Sequence, residues 1–258
     1  MNIYVSVDME GISGVCREAQ VMDDQKDYAQ GRKLYTWDVN ACVDGCFRGG
    51  AKRVIVRDSH GGGGNLIWED LDGRGEYVQG TTRERFPFLS ECDGLVLLGY
   101  HAMATTREAI LEHTMTSRHW QRVWMNGKLC GETAIDAGIA GDHGVPLVMV
   151  SGDDKLCAEA KRLVPGIQAV CVKKGLGIQG GLLYSRERAH ELIRQGAARA
   201  VNLCGRIKPL KVRPPVRFRV EVAGRRSVSV PARRGRVIDE RTIEVAGPNV
   251  EEAFRMLL

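Results

Sequence analysis

The sequence predicts an α/β fold: a mostly parallel sheet flanked by helices on both faces, with a smaller C-terminal α+β lobe. Short apolar runs alternate with segments whose apolar residues recur at helical spacing, which is typical of a layered α/β protein. Several runs are apolar almost throughout, as strands covered on both faces are. After residue 205 the pattern changes to alternating apolar and polar residues. We therefore predict an α/β core at 1–204 and a smaller lobe at 205–258 packed on it.

The elements of the core follow from these patterns in order. The predicted strands are short apolar runs at 3–7, 53–57, 94–100, 146–150 and 168–172. The predicted helices carry apolar residues three and four positions apart, at 31–47, 133–140, 153–163 and 185–201. Gly49 and Gly50 end the first helix, since glycine commonly follows a helix C-terminus. In the lobe, residues 216–222 alternate as a strand, 236–245 is rich in β-forming residues, and 250–258 is a helix.

Composition and charge exclude several classes of protein. Of the 258 residues, 43% are hydrophobic and 27% charged, which is the balance of a globular rather than a disordered chain. The net charge of +5 is small for this length. The densest basic runs, Arg225-Arg226 and Arg233-Arg234, have no aromatic residues among them, whereas a single-strand groove needs aromatic stacking platforms. We expect no nucleic-acid partner.

The N-terminus and the cysteines indicate the compartment. The opening MNIYVSVDMEG lacks the basic and apolar regions of a signal peptide, and no apolar run is long enough to span a bilayer. The eight cysteines form no CxxC pair, and most lie among apolar residues, as reduced, buried thiols do. Cys42 and Cys46 share a helix face without a second pair, which disfavours a zinc finger. We expect a cytoplasmic protein with no membrane partner.

Carboxylates and histidines follow three of the predicted strands, each at the carboxyl end. Asp8 and Glu10 come after the first strand and, two positions apart, point to the same side. His60 follows the second strand and His101 the third. In open α/β sheets, ligands bind in the crevice outside the carboxyl ends of the strands. Each residue alone is more typical of a polar rim or a structural histidine, but their shared placement predicts one site.

Glu132 completes a set of side chains suited to two metal ions. It begins a predicted helix, where a carboxylate is favourable in itself. Two imidazoles and three carboxylates suit a borderline-hard dication such as Zn²⁺. Five ligands exceed what one catalytic zinc takes, and they fit two metals about 3.5–4 Å apart that share a carboxylate. The sequence therefore predicts two Zn²⁺ per subunit, held by Asp8, Glu10, His60, His101 and Glu132.

The remaining histidines differ in their context. His113 lies between His101 and Glu132 in the sequence. It is a candidate for a sixth ligand, a general acid/base or a group that stabilises a tetrahedral intermediate, and the alternative is a core or surface histidine. We interpret His119, His143 and His190 as structural, because no comparable pattern surrounds them.

The sequence favours an activated water molecule over a side-chain nucleophile. It contains no GxSxG elbow and no cysteine in a nucleophile signature. The four glycines at 61–64 match neither GxxxxGK[ST] nor GxGxxG, so they predict a flexible loop rather than a phosphate cradle. A zinc-bound water can ionise near pH 7, and its hydroxide can attack a carbonyl while the second metal stabilises the oxyanion.

Six motifs occur in order along the chain. They are SVDMEGISG at 6–14, DSH at 58–60, GYHA at 99–102, GE at 131–132, VMVSGDD at 148–154 and VKKGLG at 172–177. With these motifs the chain resembles the D-aminopeptidase family of zinc peptidases, peptidase family M55. The resemblance implies that the five residues above are dizinc ligands and that His113 is the catalytic histidine. It also implies a ring-shaped homo-oligomer, a homodecamer of two stacked pentamers whose active sites face an inner chamber.

The function implied by the resemblance is a dizinc aminopeptidase. Such an enzyme releases N-terminal amino acids, typically D-amino acids such as D-alanine, from short peptides by attack of a metal-bound hydroxide. A dizinc amidohydrolase or phosphoesterase acting on another small substrate is the alternative, because the same site chemistry serves either reaction. A non-catalytic binding protein is disfavoured, because all five ligands are present. Asp136 departs from the family's pattern, in which we expect an asparagine.

Overall fold

The computed structural model describes residues 1–224 and 235–258, which form two sheets and the helices that cover them. The basic runs Arg225-Arg226 and Arg233-Arg234 lie outside the described residues. The strands, in chain order, are β1 (Asn2–Val7), β2 (Arg53–Asp58), β3 (Glu76–Val78), β4 (Gly94–Leu98), β5 (Trp120–Met125), β6 (Lys128–Leu129), β7 (Leu147–Asp153), β8 (Gln168–Gly177), β9 (Gly180–Leu183), β10 (Val216–Val222), β11 (Gly235–Asp239) and β12 (Thr242–Gly247). The helices are α1 (Tyr28–Arg48), α2 (Glu132–Asp142), α3 (Asp154–Leu163), α4 (Arg186–Val201) and α5 (Val250–Arg255).

The larger sheet is mostly parallel and is covered on both faces, as predicted. Its strand order is β3-β2-β1-β4-β7-β8-β9, and every neighbouring pair is parallel except β8 and β9. Ile3, Val5 and Val7 belong to one hydrophobic core and Tyr4 to the other, because successive side chains of a strand point to opposite faces. Helices α1 and α4 pack in the first core, and α2 and α3 pack in the second.

The smaller sheet is antiparallel and lies on the side of α2 and α5. Its order is β11-β12-β10-β5-β6. Three of its strands come from the C-terminal segment, while β5 and β6 come from before residue 205. The second layer therefore combines both parts of the chain, and the division at 204/205 stays a prediction.

The elements differ from the predicted bounds mainly at their ends. The predicted strand 94–100 ends at Leu98, because Gly99 adopts a φ of 69° that leaves the strand conformation. The predicted strand 168–172 continues to Gly177, where β9 pairs with its second half. The β-rich segment 236–245 is two strands, β11 and β12. Strands β3, β5, β6 and β9 were not predicted.

Glycines bring three strand ends into contact at the carboxyl edge of the larger sheet. The amide of Gly11, after β1, donates to the carbonyl of Gly99, after β4, at 2.7 Å. A Cβ on Gly11 would lie 1.8 Å from the carbonyl oxygen of Tyr100, and one on Gly152 would lie 2.2 Å from the same atom. The chain segments that follow β1, β4 and β7 approach this closely because side chains are absent there.

The described helices include none that could cross a membrane, since each is too short or too polar. All eight cysteines carry free thiols, and six of them are buried.

Candidate metal centre

The predicted ligands converge at this edge of the larger sheet. Asp8 and Glu10 follow β1, His60 follows β2, His101 follows β4, and Glu132 is the first residue of α2. Their ligand atoms form two clusters, each within 4.8 Å. Cluster 1 contains Asp8, Glu10 and His60, and cluster 2 contains His101, His113 and Glu132. The structure thus brings together all five predicted ligands and adds His113 to the second group.

In cluster 1, both ring nitrogens of His60 have defined partners. Its Nδ1 lies 3.0 Å from Oδ1 of Asp8 and 3.2 Å from Oε2 of Glu10. Its Nε2 donates to the carbonyl oxygen of Val21 at 2.7 Å. A metal-ligating histidine characteristically donates its other ring N–H in this way, which fixes the tautomer and the ring orientation. The Nδ1 atom is therefore positioned beside the two carboxylates as a ligand atom.

The histidines of cluster 2 are held in the same way, but the ring nitrogens exchange roles: Nδ1 donates to the main chain and Nε2 faces the carboxylate. His101 donates from Nδ1 to the carbonyl of Ala102 at 3.0 Å, and its Nε2 lies 3.2 Å from Oε1 of Glu132. His113 donates from Nδ1 to the carbonyl of Leu111 at 3.0 Å, and its Nε2 lies 3.7 Å from the same Glu132 oxygen. The two imidazoles stack with 3.9 Å between their centroids. Each histidine therefore presents Nε2 to the carboxylate.

Asp8 connects the two clusters. Its Oδ1 lies 3.0 Å from Nδ1 of His60, and its Oδ2 lies 3.3 Å from Nε2 of His101. One carboxylate thus turns one oxygen to each cluster, which is the arrangement of a ligand shared by two metals.

Two buried atoms at the centre have no hydrogen-bond partner, namely Oε2 of Glu10 and Nε2 of His101. Both lie within ion-pair distance of neighbours but without hydrogen-bond geometry. Buried polar atoms are normally satisfied, because desolvation is costly otherwise. A dication in each cluster would satisfy the unpaired atom of that cluster, so the donor set fits zinc in its chemistry as well as in its placement.

The electrostatics of the centre keep Asp8 and Glu132 ionised. Burial opposes the charge on Asp8, yet the neighbouring imidazoles of His101 and His60 hold its pKa well below the usual value. Burial also opposes the charge on Glu132, but the neighbouring His101 lowers its pKa to about 2. In turn, the carboxylates overcome burial and raise the pKa of His60 and of His101 well above the usual value. Protonated histidines thus supply the positive charge that a bound metal ion would otherwise supply to these carboxylates.

Lys173 supports the centre from β8 and was missed by sequence reasoning. Its side chain is fully buried, and Nζ donates to the carbonyls of Glu10, Ile12 and Val15 at 2.6, 2.9 and 2.6 Å. These bonds hold the loop that carries Glu10. The only sequence signal for this role is the position of Lys173 in the VKKGLG motif.

Asp136 stands where the family resemblance leads us to expect an asparagine, and its negative charge has a cationic partner. Its carboxylate accepts from Nε and Nη2 of Arg85, the latter at 2.9 Å, and from the hydroxyl of Tyr100 at 2.8 Å. Tyr100 in turn bonds Ser6 at 2.7 Å. Burial raises the pKa of Asp136, and Arg85 counteracts this. An asparagine at this position would leave the guanidinium without its counter-ion.

A cleft of about 490 Å³ opens over the centre. It is lined by residues of both clusters, by the glycines 61–63 and by Arg85. This volume lies within the range of clefts that bind small ligands.

Two of the histidines interpreted as structural form ion pairs away from the centre: His143 with Glu251 at 2.7 Å and His190 with Asp38 at 3.2 Å.

The chain is similar over its whole length to known peptidases. The family model described as peptidase M55, D-aminopeptidase, matches residues 1–258. A D-aminopeptidase of Bacillus subtilis (strain 168) is 33% identical over 223 residues, which are 84% of this chain and 79% of the relative. A solved structure, the Zn-dependent D-aminopeptidase DppA from Bacillus subtilis, a self-compartmentalizing protease, has a TM-score of 0.90 at 27% identity and covers 100% of this chain and 95% of that chain. These similarities confirm the predicted fold and family, and the chain belongs to the D-aminopeptidase family, peptidase family M55.

Proposed function

We propose that this protein is a dizinc aminopeptidase that releases N-terminal amino acids, chiefly of the D series, from short peptides. Membership of a peptidase family supports hydrolysis, and the zinc dependence of the DppA relative supports the metal. The proposal of two metals rests on the carboxylate of Asp8, which turns one oxygen to each cluster.

Each metal would have its own ligands and one shared ligand. Glu10 and His60 would hold one ion, His101 and Glu132 the other, and Asp8 would bridge them. When bound, two zinc ions would polarise the scissile carbonyl and lower the pKa of a water molecule towards neutrality. The backbone amide of Met115 donates to Oε1 of Glu132 at 2.7 Å, which fixes this carboxylate before any metal binds.

His113 is the candidate for the proton transfers that peptide hydrolysis requires. Its Nδ1–H is held by the carbonyl of Leu111, so Nε2 is the atom free to take up a proton and return it. The side chain lines the cleft above the centre, where a departing amine would need that proton. We propose His113 as a catalytic residue rather than a sixth ligand.

We further propose that the subunits assemble into a ring-shaped homodecamer. The DppA relative is described as self-compartmentalizing, and a chamber would restrict entry to short peptides. Native mass measurement tests this proposal, and a monomer in solution would refute it. Localisation in the cytoplasm stays a prediction from the sequence.

Elemental analysis of bound metal, together with hydrolysis of D-Ala-D-Ala, L-Ala-L-Ala and a chromogenic phosphodiester, tests the function. We expect about two zinc ions per chain and cleavage of the D-dipeptide. Activity should disappear with a chelator and return with Zn²⁺. Two metals with cleavage of the phosphodiester alone would favour the phosphoesterase alternative. A chain that binds no zinc under retaining conditions would refute the metal centre.

A further inference from the structure

The metal cleft continues into a second, smaller cleft that has no part in the chemistry described above. The second cleft has a volume of about 200 Å³. The two clefts share Ser59, Gly61, Gly62 and Arg85 in their linings. Arg85 therefore stands where a ligand leaving the metal centre would enter the smaller cleft.

The guanidinium of Arg85 is immobilised before any ligand arrives. Nε and Nη2 both donate to Asp136, and the guanidinium carbon lies 5.4 Å from the ring centroid of Phe86 and 5.5 Å from that of Phe254. In the described part of the chain, Asp136 accepts both hydrogen bonds of Arg85, so Nη1 is left for a ligand. A guanidinium fixed in this way loses little entropy on binding an anion.

The smaller cleft has an excess of positive charge. Arg57 and Arg83 line it together with Arg85, and Glu84 is the one acidic side chain of the lining; with Arg85 paired to Asp136, one positive charge is left in excess among these side chains. Arg57 is only 9% exposed; its Nη1 donates to the carbonyl of Gly80 at 2.7 Å, but its buried Nε has no hydrogen-bond partner. A buried donor without a partner is costly, so Arg57 keeps an unused donor beside this cleft. Arg57 therefore adds a second, largely buried cation to the lining.

Arg85 lines the same cleft as the candidate metal ligands, close to the start of α2. Asp136, which holds Arg85, lies four residues after the ligand Glu132 on α2, and such positions are about 5–6 Å apart between Cβ atoms. One peptide residue spans about 3.3–3.6 Å. A short peptide with its scissile carbonyl at the metals therefore has its terminal carboxylate in the cleft that Arg85 lines.

We propose that Arg85 binds the free C-terminal carboxylate of the peptide substrate, and that Arg57 and Arg83 extend this subsite for the carboxylate of a longer peptide. The inference rests on the proposed aminopeptidase function and makes the enzyme selective for short peptides with an unblocked C-terminus. Asp136 is then a positioning residue, because it acts by holding Arg85.

The test compares D-Ala-D-Ala with its C-terminal amide, which keeps the scissile bond and removes the negative charge. A hydrogen bond to a charged group is worth about 1.5–3 kcal/mol. We therefore expect kcat/KM of the wild-type enzyme to favour the dipeptide about 10- to 100-fold, mainly through KM. In Arg85→Gln this ratio should fall towards one. Arg74→Gln is the matched control: Arg74 also pairs with acids, Asp72 and Asp44, but lies outside both clefts.

In Arg85→Gln the buried carboxylate of Asp136 loses its ion-pair partner, which destabilises the fold. The double variant Arg85→Gln/Asp136→Asn removes both charges and keeps the test valid. Loss of the preference in the folded double variant, with the preference intact in Arg74→Gln, would support the proposal. Equal wild-type rates on dipeptide and amide would overturn the carboxylate subsite and leave the aminopeptidase intact. Cleavage of neither compound would refute the proposed function, and the subsite with it.

Discussion

The ammonium group of Lys173 donates a 2.6 Å hydrogen bond to the main-chain carbonyl of Glu10, and so connects β8 to a predicted metal ligand. The two residues are 163 positions apart in the sequence. Two further bonds, to Ile12 and Val15, use the other donors of the same ammonium. The position of Glu10 therefore depends on a buried cation that cannot itself bind a metal.

Lys173→Met should destabilise the protein and weaken zinc binding. Methionine fills a similar volume but leaves three carbonyls without their donor, and each unsatisfied group costs about 1–3 kcal/mol. Urea denaturation and zinc titration measure both effects. Lys174→Met is the matched control, because Lys174 is the next residue in the chain and its side chain is exposed. Equal stability and zinc affinity in both variants would show that the bonds do not position Glu10.

The stability of the wild-type protein should rise with pH above 8 relative to Lys173→Met. Burial lowers the pKa of Lys173 to about 8 from its usual value of 10.5. Between these values the unfolded chain binds a proton that the folded chain has lost, so the free energy of unfolding increases with pH, by up to about 1.4 kcal/mol per unit. Below pH 8 the cost of burying the charge is fully present. Urea denaturation of both proteins at pH 7.5, 8.5 and 9.5 measures the difference, and a constant difference would contradict the shift.

Asp8→Asn should lower the content of both metals. An amide offers one oxygen and no charge, so it cannot bridge the two clusters as the carboxylate does. We expect elemental analysis to find less than one zinc per chain and turnover to be lost. Asp23→Asn is the control, because Asp23 is an exposed acid that lines the same cleft but belongs to neither cluster. Full zinc occupancy in Asp8→Asn would exclude Asp8 as the shared ligand.

His113→Ala should retain its metals and lose turnover by about 10²–10⁴-fold, the usual contribution of a general acid/base. Its Nε2 is 3.7 Å from Oε1 of Glu132, farther than the 3.2 Å of His101. Zinc content and kcat are measured on the same preparation. Loss of one metal in this variant would make His113 a ligand instead.

Gly11→Ala should prevent the metal centre from forming. The new Cβ would lie 1.8 Å from the carbonyl oxygen of Tyr100, a backbone atom that cannot move aside without separating the segments after β1 and β4. We expect a loss of several kcal/mol in stability, as for other severe overpacking. Gly62→Ala is the control for stability, since nothing lies within 4 Å of its added Cβ. Similar melting temperatures for the two variants would contradict the close approach.

Much of the core could be predicted because its strands are covered on both faces and are therefore apolar throughout. Strands 3–7 and 53–57 differ from the observed β1 and β2 by one residue at an end. Strand β9, by contrast, has two glycines among its four residues and, among the strands that the structure describes, pairs with the end of β8 alone. Its conformation comes from its partner, so its own residues carry little signal.

The sequence by itself determined the α/β class, the family and the identity of the candidate ligands, because ligands at strand ends follow from local pattern and short motifs. Only the tertiary structure decided how they are arranged: that Asp8 faces both clusters, that Lys173 holds the Glu10 loop, and that Asp136 pairs with Arg85. Each of these contacts joins residues distant in the chain. No local pattern encodes such a pair, because its energy depends on where the folded backbone brings the two side chains.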